Sequence, residues 1–168
     1  MAVKFERIPY MVVFDEVSAF KDTYGGAIGK VAVEAMHVKP EVPSDTVVVF
    51  SHPIGGGAWL PLVSMLARMG VHTIYANTRY RGNDTALIME RATMDFAAVI
   101  RDAKERLGYA KVYLGGWSGG GAQSLFYQAE AQDPRVTHTP AGDPYDLVAA
   151  KFIPADGVLL LAAHLSRN

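Results

Sequence analysis

The chain has 168 residues, half of them hydrophobic, enough for one domain with a substantial core. A formal net charge of -1 leaves no basic field for nucleic acid, and the longest apolar runs fall well short of the roughly 20 residues a membrane helix needs. Cysteine is absent, which excludes disulfides and thiolate metal sites. The start, Met1 to Arg7, lacks the apolar core of a signal peptide, so a cytoplasmic protein with no nucleic-acid or membrane partner is expected.

Two strands are predicted first, Tyr10–Phe14 and Ala27–Met36, with Tyr24-Gly25-Gly26 as the turn between them. The second alternates Val31, Val33 and Ala35 with Lys30 and Glu34, as a half-exposed strand does. Lys39–Asp45 is a proline-broken connection. Thr46–Ser51 is apolar on both faces, the pattern of a strand buried in a parallel sheet, and it empties into His52-Pro53-Ile54-Gly55-Gly56-Gly57-Ala58. A helix follows on Trp59, Leu62, Val63 and Leu66, ended by Gly70.

Val71–Asn77 is the next strand, followed by the polar loop Thr78–Asp84. Phe96, Val99, Ile100, Ala103 and Leu107 form a helical stripe, with Asp102 and Arg106 paired on its wet side. Lys111 onward is a strand, then a helix to about Ala131. A stretch broken by Pro134, Pro140, Pro144 and Pro154 leads to a last buried-type strand, Asp156–Ala163. Strand and helix alternate from residue 46, which predicts an α/β fold: a mostly parallel sheet with helices on both faces and ligands beyond the carboxyl ends of the strands.

The chemistry concentrates in Gly116-Trp117-Ser118-Gly119-Gly120, a G-x-S-x-G with a strand before it and a helix after it. In that context it is a nucleophile elbow. The glycines clear the sharp turn, and the helix aims its first amides at the serine oxygen and at an oxyanion formed beside it. The plain alternative is a glycine-rich turn packing a helix on its strand. A phosphate-cradling loop is disfavoured, because neither G-x-G-x-x-G nor Gly-Lys-Ser/Thr occurs. Gly55, Gly56 and Gly57 either let a substrate carbonyl approach backbone amides or make a flexible connection.

His52 lies upstream of the serine and reads as a brace of that loop. His164 and Trp117 are candidates to line the pocket, although a core or surface histidine is an equal reading of His164. His37, His72 and His138 suggest nothing. Arg79 and Arg81 either bind an anion or, the better reading, pair with Asp84 or a backbone carbonyl. Met65, Met69, Met89 and Met94 read as core filler.

Together these features resemble the α/β-hydrolase superfamily of serine esterases and lipases: an oxyanion loop after strand three, an arginine-glycine loop after strand four and a serine elbow after strand five. His52-Pro53-Ile54-Gly55-Gly56 stands where many members have His-Gly-x-Gly-Gly, with Pro53 as a departure. The resemblance implies Ser118 as nucleophile, an oxyanion hole from Ile54 or its neighbour Gly55 together with Gly119, and neither a metal nor an organic cofactor. It implies cleavage of a small-molecule carboxylic ester through an acyl-serine. The same fold also suits thioesterases and amidases, and a non-catalytic binding or scaffold protein could keep the elbow as a turn.

The family's triad runs Ser, then Asp or Glu, then His, on a sheet of eight strands. This chain is expected to hold strands one to six as a single incomplete domain over residues 1–168. No Asp or Glu follows Asp156, and Asp156 itself opens a strand at the wrong end. A serine without a base is a weak nucleophile. The last strand reads as interior, with nothing after it to pair its edge. A second polypeptide, a separate product or the other half of a nicked precursor, is therefore expected to supply the remaining strands with the acid and the histidine, giving a heterodimer.

Overall fold

The computed structural model describes residues 3–16, 29–83 and 85–165. Two long strands come first, β1 (Phe5–Asp15) and β2 (Lys30–Pro40), paired antiparallel from Phe5 opposite Pro40 to Asp15 opposite Lys30. Both extend beyond the apolar segments that predict them, because the ladder carries polar residues such as Glu6 and Lys39 along with it. The expected turn at Tyr24–Gly26 and the start of the second strand at Ala27 lie outside the described residues.

Strand and helix then alternate: β3 (Thr46–Ser51), α1 (Pro61–Arg68), β4 (His72–Ala76), α2 (Met89–Glu105), β5 (Lys111–Trp117), α3 (Gly119–Gln132) and β6 (Gly157–Leu161). They build one six-stranded sheet in the order β1-β2-β4-β3-β5-β6. β2 meets β4 antiparallel, and β4, β3, β5 and β6 run parallel. This is the mostly parallel α/β sheet that the alternation of elements predicts.

Both faces of the central strands are buried, which is why their sequences are apolar throughout. Val47, Val49 and Ile74 pack with Phe96, Val99 and Ile100 of α2 and with Tyr127 of α3. Val48, Phe50 and Tyr75 face the other way, onto Leu62 and Leu66 of α1. α1 thus covers β2 and β4 on one face, while α2 and α3 lie together on the opposite face.

Three elements differ from their sequence reading. α2 begins at Met89, well before the apolar stripe at Phe96, and its first turns bury Glu90, Thr93 and Asp95. Met94 is buried, but Met65 and Met69 are 61% and 74% exposed on the outer side of α1, so those two do not fill the core. β6 lies at the sheet edge with Leu159, Leu160 and Leu161 36–43% exposed. The expected Asp102–Arg106 pair is present at 2.6 and 2.8 Å.

The proline-broken segment after α3 folds back on itself, the Tyr145 amide donating to the Thr137 carbonyl and the Leu147 amide to the Val136 carbonyl, both at 2.9 Å, and side chains fix it to the core. Tyr145 and Leu147 pack on Met94, and the Tyr145 hydroxyl donates to Glu16 Oε1 at 2.7 Å. Asp156 caps the amino end of β5, accepting from the Val112 amide at 2.8 Å and pairing with Lys104. Among the described residues no helix is long and apolar enough to cross a membrane.

Candidate active site

β5 ends at Trp117 and α3 starts at Gly119, so Ser118 is a one-residue hinge between strand and helix. Its backbone sits at φ 52° and ψ -128°, a left-handed conformation that costs a residue with a side chain about 1–3 kcal/mol. The turn is tight enough to exclude neighbours' side chains. A Cβ on Gly116 would lie 2.8 Å from Gly121 Cα, and one on Gly120 would lie 2.0 Å from the Ser51 carbonyl oxygen. The two motif glycines are therefore required by the helix crossing close over β5 and the end of β3.

Ser118 is partly exposed, and its carbonyl accepts two amides, from Gly121 at 3.0 Å and from His164 at 2.8 Å. His164 thus braces the elbow through its main chain while its side chain is exposed. The preceding residue joins in: a Cβ on Gly121 would lie 2.4 Å from Ala163 Cβ, so the segment after β6 lies directly on the first turn of α3.

The loop after β3 is pinned from several sides. The Gly55 amide donates to the His52 carbonyl at 2.8 Å, closing a turn over Pro53 and Ile54. The Gly56 amide donates to Asn77 Oδ1 at 3.0 Å, the Thr78 hydroxyl donates to the Pro53 carbonyl, and the Gly82 amide donates to the Ile54 carbonyl at 2.8 Å. The Ile54 amide reaches His52 Nδ1 only at 3.4 Å, longer than a normal hydrogen bond. Of the amides that sequence singles out, Gly55's is committed inside the loop and Ile54's is weakly engaged. Gly119's opens a helix, where the first amides have no acceptor within the helix.

His52 lies against the elbow. Its ring centroid is 5.9 Å from that of Trp117, and a Cβ on Gly119 would lie 3.1 Å from Nε2. Burial, and then the neighbouring His164, hold the His52 pKa below its ordinary value. The ring is therefore neutral near pH 7. His52, Trp117 and His164 are all at Ser118.

The arginines after β4 are structural. The Arg79 guanidinium donates to Asp95 at 2.7 and 2.9 Å and pairs with Glu16, and the Arg79 amide donates to Asp95 Oδ2 at 2.7 Å. Burial pushes the Asp95 carboxyl up, and the bonds from Arg79 pull it back. Arg81 pairs with Glu34. Asp84, the partner expected from sequence, lies outside the described residues. Asn77 and Thr78, which hold the loop, escape sequence reasoning; their one signal is a polar pair straight after a buried strand. Among the described residues no group of three or more His, Asp or Glu could hold a metal ion.

The fold has solved counterparts. A candidate carboxylesterase from Lactobacillus plantarum WCFS1 superposes with a TM-score of 0.60 at 13% identity, over 96% of this chain and 61% of its own. A candidate hydrolase from Agrobacterium vitis S4 gives 0.56 at 16% identity, over 95% and 53%. Carboxyl esterase 2 of the fungus Tuber melanosporum gives 0.51 at 16% identity, over 79% and 42%. At these identities the likeness is one of fold, and this chain spans between 42% and 61% of the length of the three. No curated protein matches the sequence. Residues 46–138, from the first buried parallel strand through the elbow helix, match the family model of the alpha/beta hydrolase fold, and the chain belongs to that family.

Proposed function

We propose that this chain is the nucleophile-bearing part of a serine hydrolase that cleaves carboxylic esters. The observation that carries the reading is Ser118 itself, held at positive φ between β5 and α3. A serine keeps a conformation worth 1–3 kcal/mol of strain, to order of magnitude, where the exposure of its oxygen is put to use. Ser118 Oγ attacks the ester carbonyl, its proton passes through a histidine to the leaving alkoxide, and the alcohol departs to leave an acyl-serine. Water then attacks the acyl carbon, releasing the carboxylic acid and restoring the serine.

The developing oxyanion is held by the amides of Gly119 and Ile54. The 3.4 Å contact from Ile54 to His52 Nδ1 is weak enough to be exchanged for it. Gly55 serves the site by closing the turn that positions Ile54. His52 and Trp117 form the walls nearest the reacting carbonyl.

The base and the acid come from a second polypeptide added beside β6. Leu159 and Leu161 pair with Gly115 and Trp117 of β5, and all three β6 leucines are exposed. An apolar strand with a free edge and a bare face is what a large, obligate interface covers.

A fluorophosphonate probe applied to the assembled protein tests the chemistry. Labelling that Ser118→Ala abolishes is expected, whereas absence of labelling favours a scaffold. A panel of esters, thioesters and amides then fixes the leaving group. For the partner, residues 1–168 are expressed alone: a stable, monodisperse and active monomer overturns its existence.

A further inference from the structure

The amino ends of the parallel strands, opposite Ser118, enclose a cavity of about 440 Å³ between β1, β2 and the end of α2. Its polar wall is one hydrogen-bonded chain. His72 Nε2 is 2.7 Å from the Val42 carbonyl, so that nitrogen carries the proton and donates. His72 Nδ1 then accepts from the Tyr109 hydroxyl at 2.6 Å, and the Tyr109 oxygen accepts from His37 Nε2 at 2.8 Å. Both rings are nearly inaccessible, His37 at 6% and His72 at 3%. In this chain the neutral His37 has its remaining lone pair on Nδ1.

Two cations, Lys39 and Arg106, act on the His37 ring. Lys39 and Arg106 line the same cavity, and no Asp or Glu is among its described lining residues. Of the acids nearby, Asp102 on α2 is bound to Arg106. Glu6 on β1 stands opposite Lys39 in the ladder without forming an ion pair with it. Tyr10 lies under the Arg106 guanidinium at 4.9 Å. Among the described residues Lys39 thus forms no ion pair, and a roomy, partly apolar space opens beside it.

We propose that this cavity is a binding site for a phosphate dianion, free or at the end of a small organic phosphate, held between Lys39 and Arg106 against the His37 ring. An anion there reverses the local field. Without it, burial, followed by His72, Lys39 and Arg106, drives the His37 pKa down to about 4. With it, an N–H at His37 Nδ1 becomes favourable, so the anion and a proton bind together. The site is independent of the chemistry at Ser118.

The test follows the ring nitrogens of His37 by 15N NMR in the full chain as it purifies, with inorganic phosphate, with glycerol 3-phosphate, and with chloride at matched ionic strength. Phosphate is expected to raise the His37 titration midpoint by at least one pH unit, chloride by far less. Lys39→Ala is expected to weaken phosphate binding at least tenfold by calorimetry, and Lys39→Arg to retain it. A stronger effect of glycerol 3-phosphate than of phosphate assigns the remaining volume to an organic group; an equal effect assigns the site to the free anion. A midpoint unmoved by either phosphate, moved equally by chloride, or moved equally in Lys39→Ala overturns the proposal. Arg106→Gln provides a second variant with the same expected loss.

Discussion

The two ends of this sheet are stabilised in opposite ways. At the carboxyl end, Ser118 is held at a strained φ, and Gly116 and Gly120 stay glycine because a side chain there would overlap backbone, as at Gly120 against Ser51. At the amino end hydrogen bonding takes the place of steric exclusion. Val42, His72, Tyr109 and His37 form a chain of hydrogen bonds in which each donor meets an acceptor. The first end is defined by steric exclusion and the second by matching of protons. It follows that added atoms break the first and added protons break the second.

The largest effect is expected where the carboxyl end also depends on charge. Asp95 is fully buried and receives the Arg79 side chain and amide. Asp95→Ala leaves that guanidinium with half its partners, and a loss of about 4 kcal/mol in denaturant unfolding is expected. Arg81, in an exposed pair with Glu34, serves as the control. Arg81→Ala should change stability by less than about 1 kcal/mol.

The amino end should respond to acid. The folded-state pKa of His37 is about 4, against an ordinary 6.5, so the neutral ring is the form that folding favours. Its contribution is complete above pH 6.5, declines as pH falls toward 4, and changes no further below that. At about 1.4 kcal/mol per pH unit the loss comes to roughly 3 kcal/mol. His37→Gln keeps a donor for Tyr109 but cannot titrate. The difference in stability between wild type and this variant should therefore narrow as the pH is lowered from 7 to 4, and a constant difference would show that the ring is not held neutral.

How much of this can be read from the sequence depends on which end is considered. The elbow is legible because steric exclusion leaves a residue signature: Gly116 and Gly120 can be nothing else, and Thr46–Ser51 is apolar because both faces are covered. The hydrogen-bonded end is not, since His37 and Tyr109 are 72 residues apart and nothing in either segment announces the other. The first turns of α2 are hidden for the same reason. Thr93 and Asp95 are polar, yet both are buried, and Asp95 receives the Arg79 guanidinium. The amide of His164 that supports Ser118 leaves no trace at all, because any residue except proline offers an amide there.

Adding one methyl to the elbow tests steric exclusion directly. Gly120→Ala must push α3 off Ser51, and a loss of about 2 kcal/mol is expected, together with loss of fluorophosphonate labelling. Gly29→Ala, with nothing among the described residues within 4 Å of its Cβ, should stay within about 0.5 kcal/mol.

The smallest effect is the most pointed, because its sign reverses. Ser118 occupies φ 52° and ψ -128°, a conformation glycine adopts without the clash a Cβ brings. Ser118→Gly relieves about 1–3 kcal/mol of strain but gives the unfolded chain extra freedom worth about 0.5–1 kcal/mol. A net stabilisation of about 1 kcal/mol is expected, with labelling abolished. Ser118→Ala keeps the Cβ and the strain, so it should lose labelling without gaining stability. The pair separates backbone from hydroxyl: a glycine variant no more stable than the alanine variant would mean that the turn at the carboxyl end is relaxed, and the contrast between the two ends would fail at its central residue.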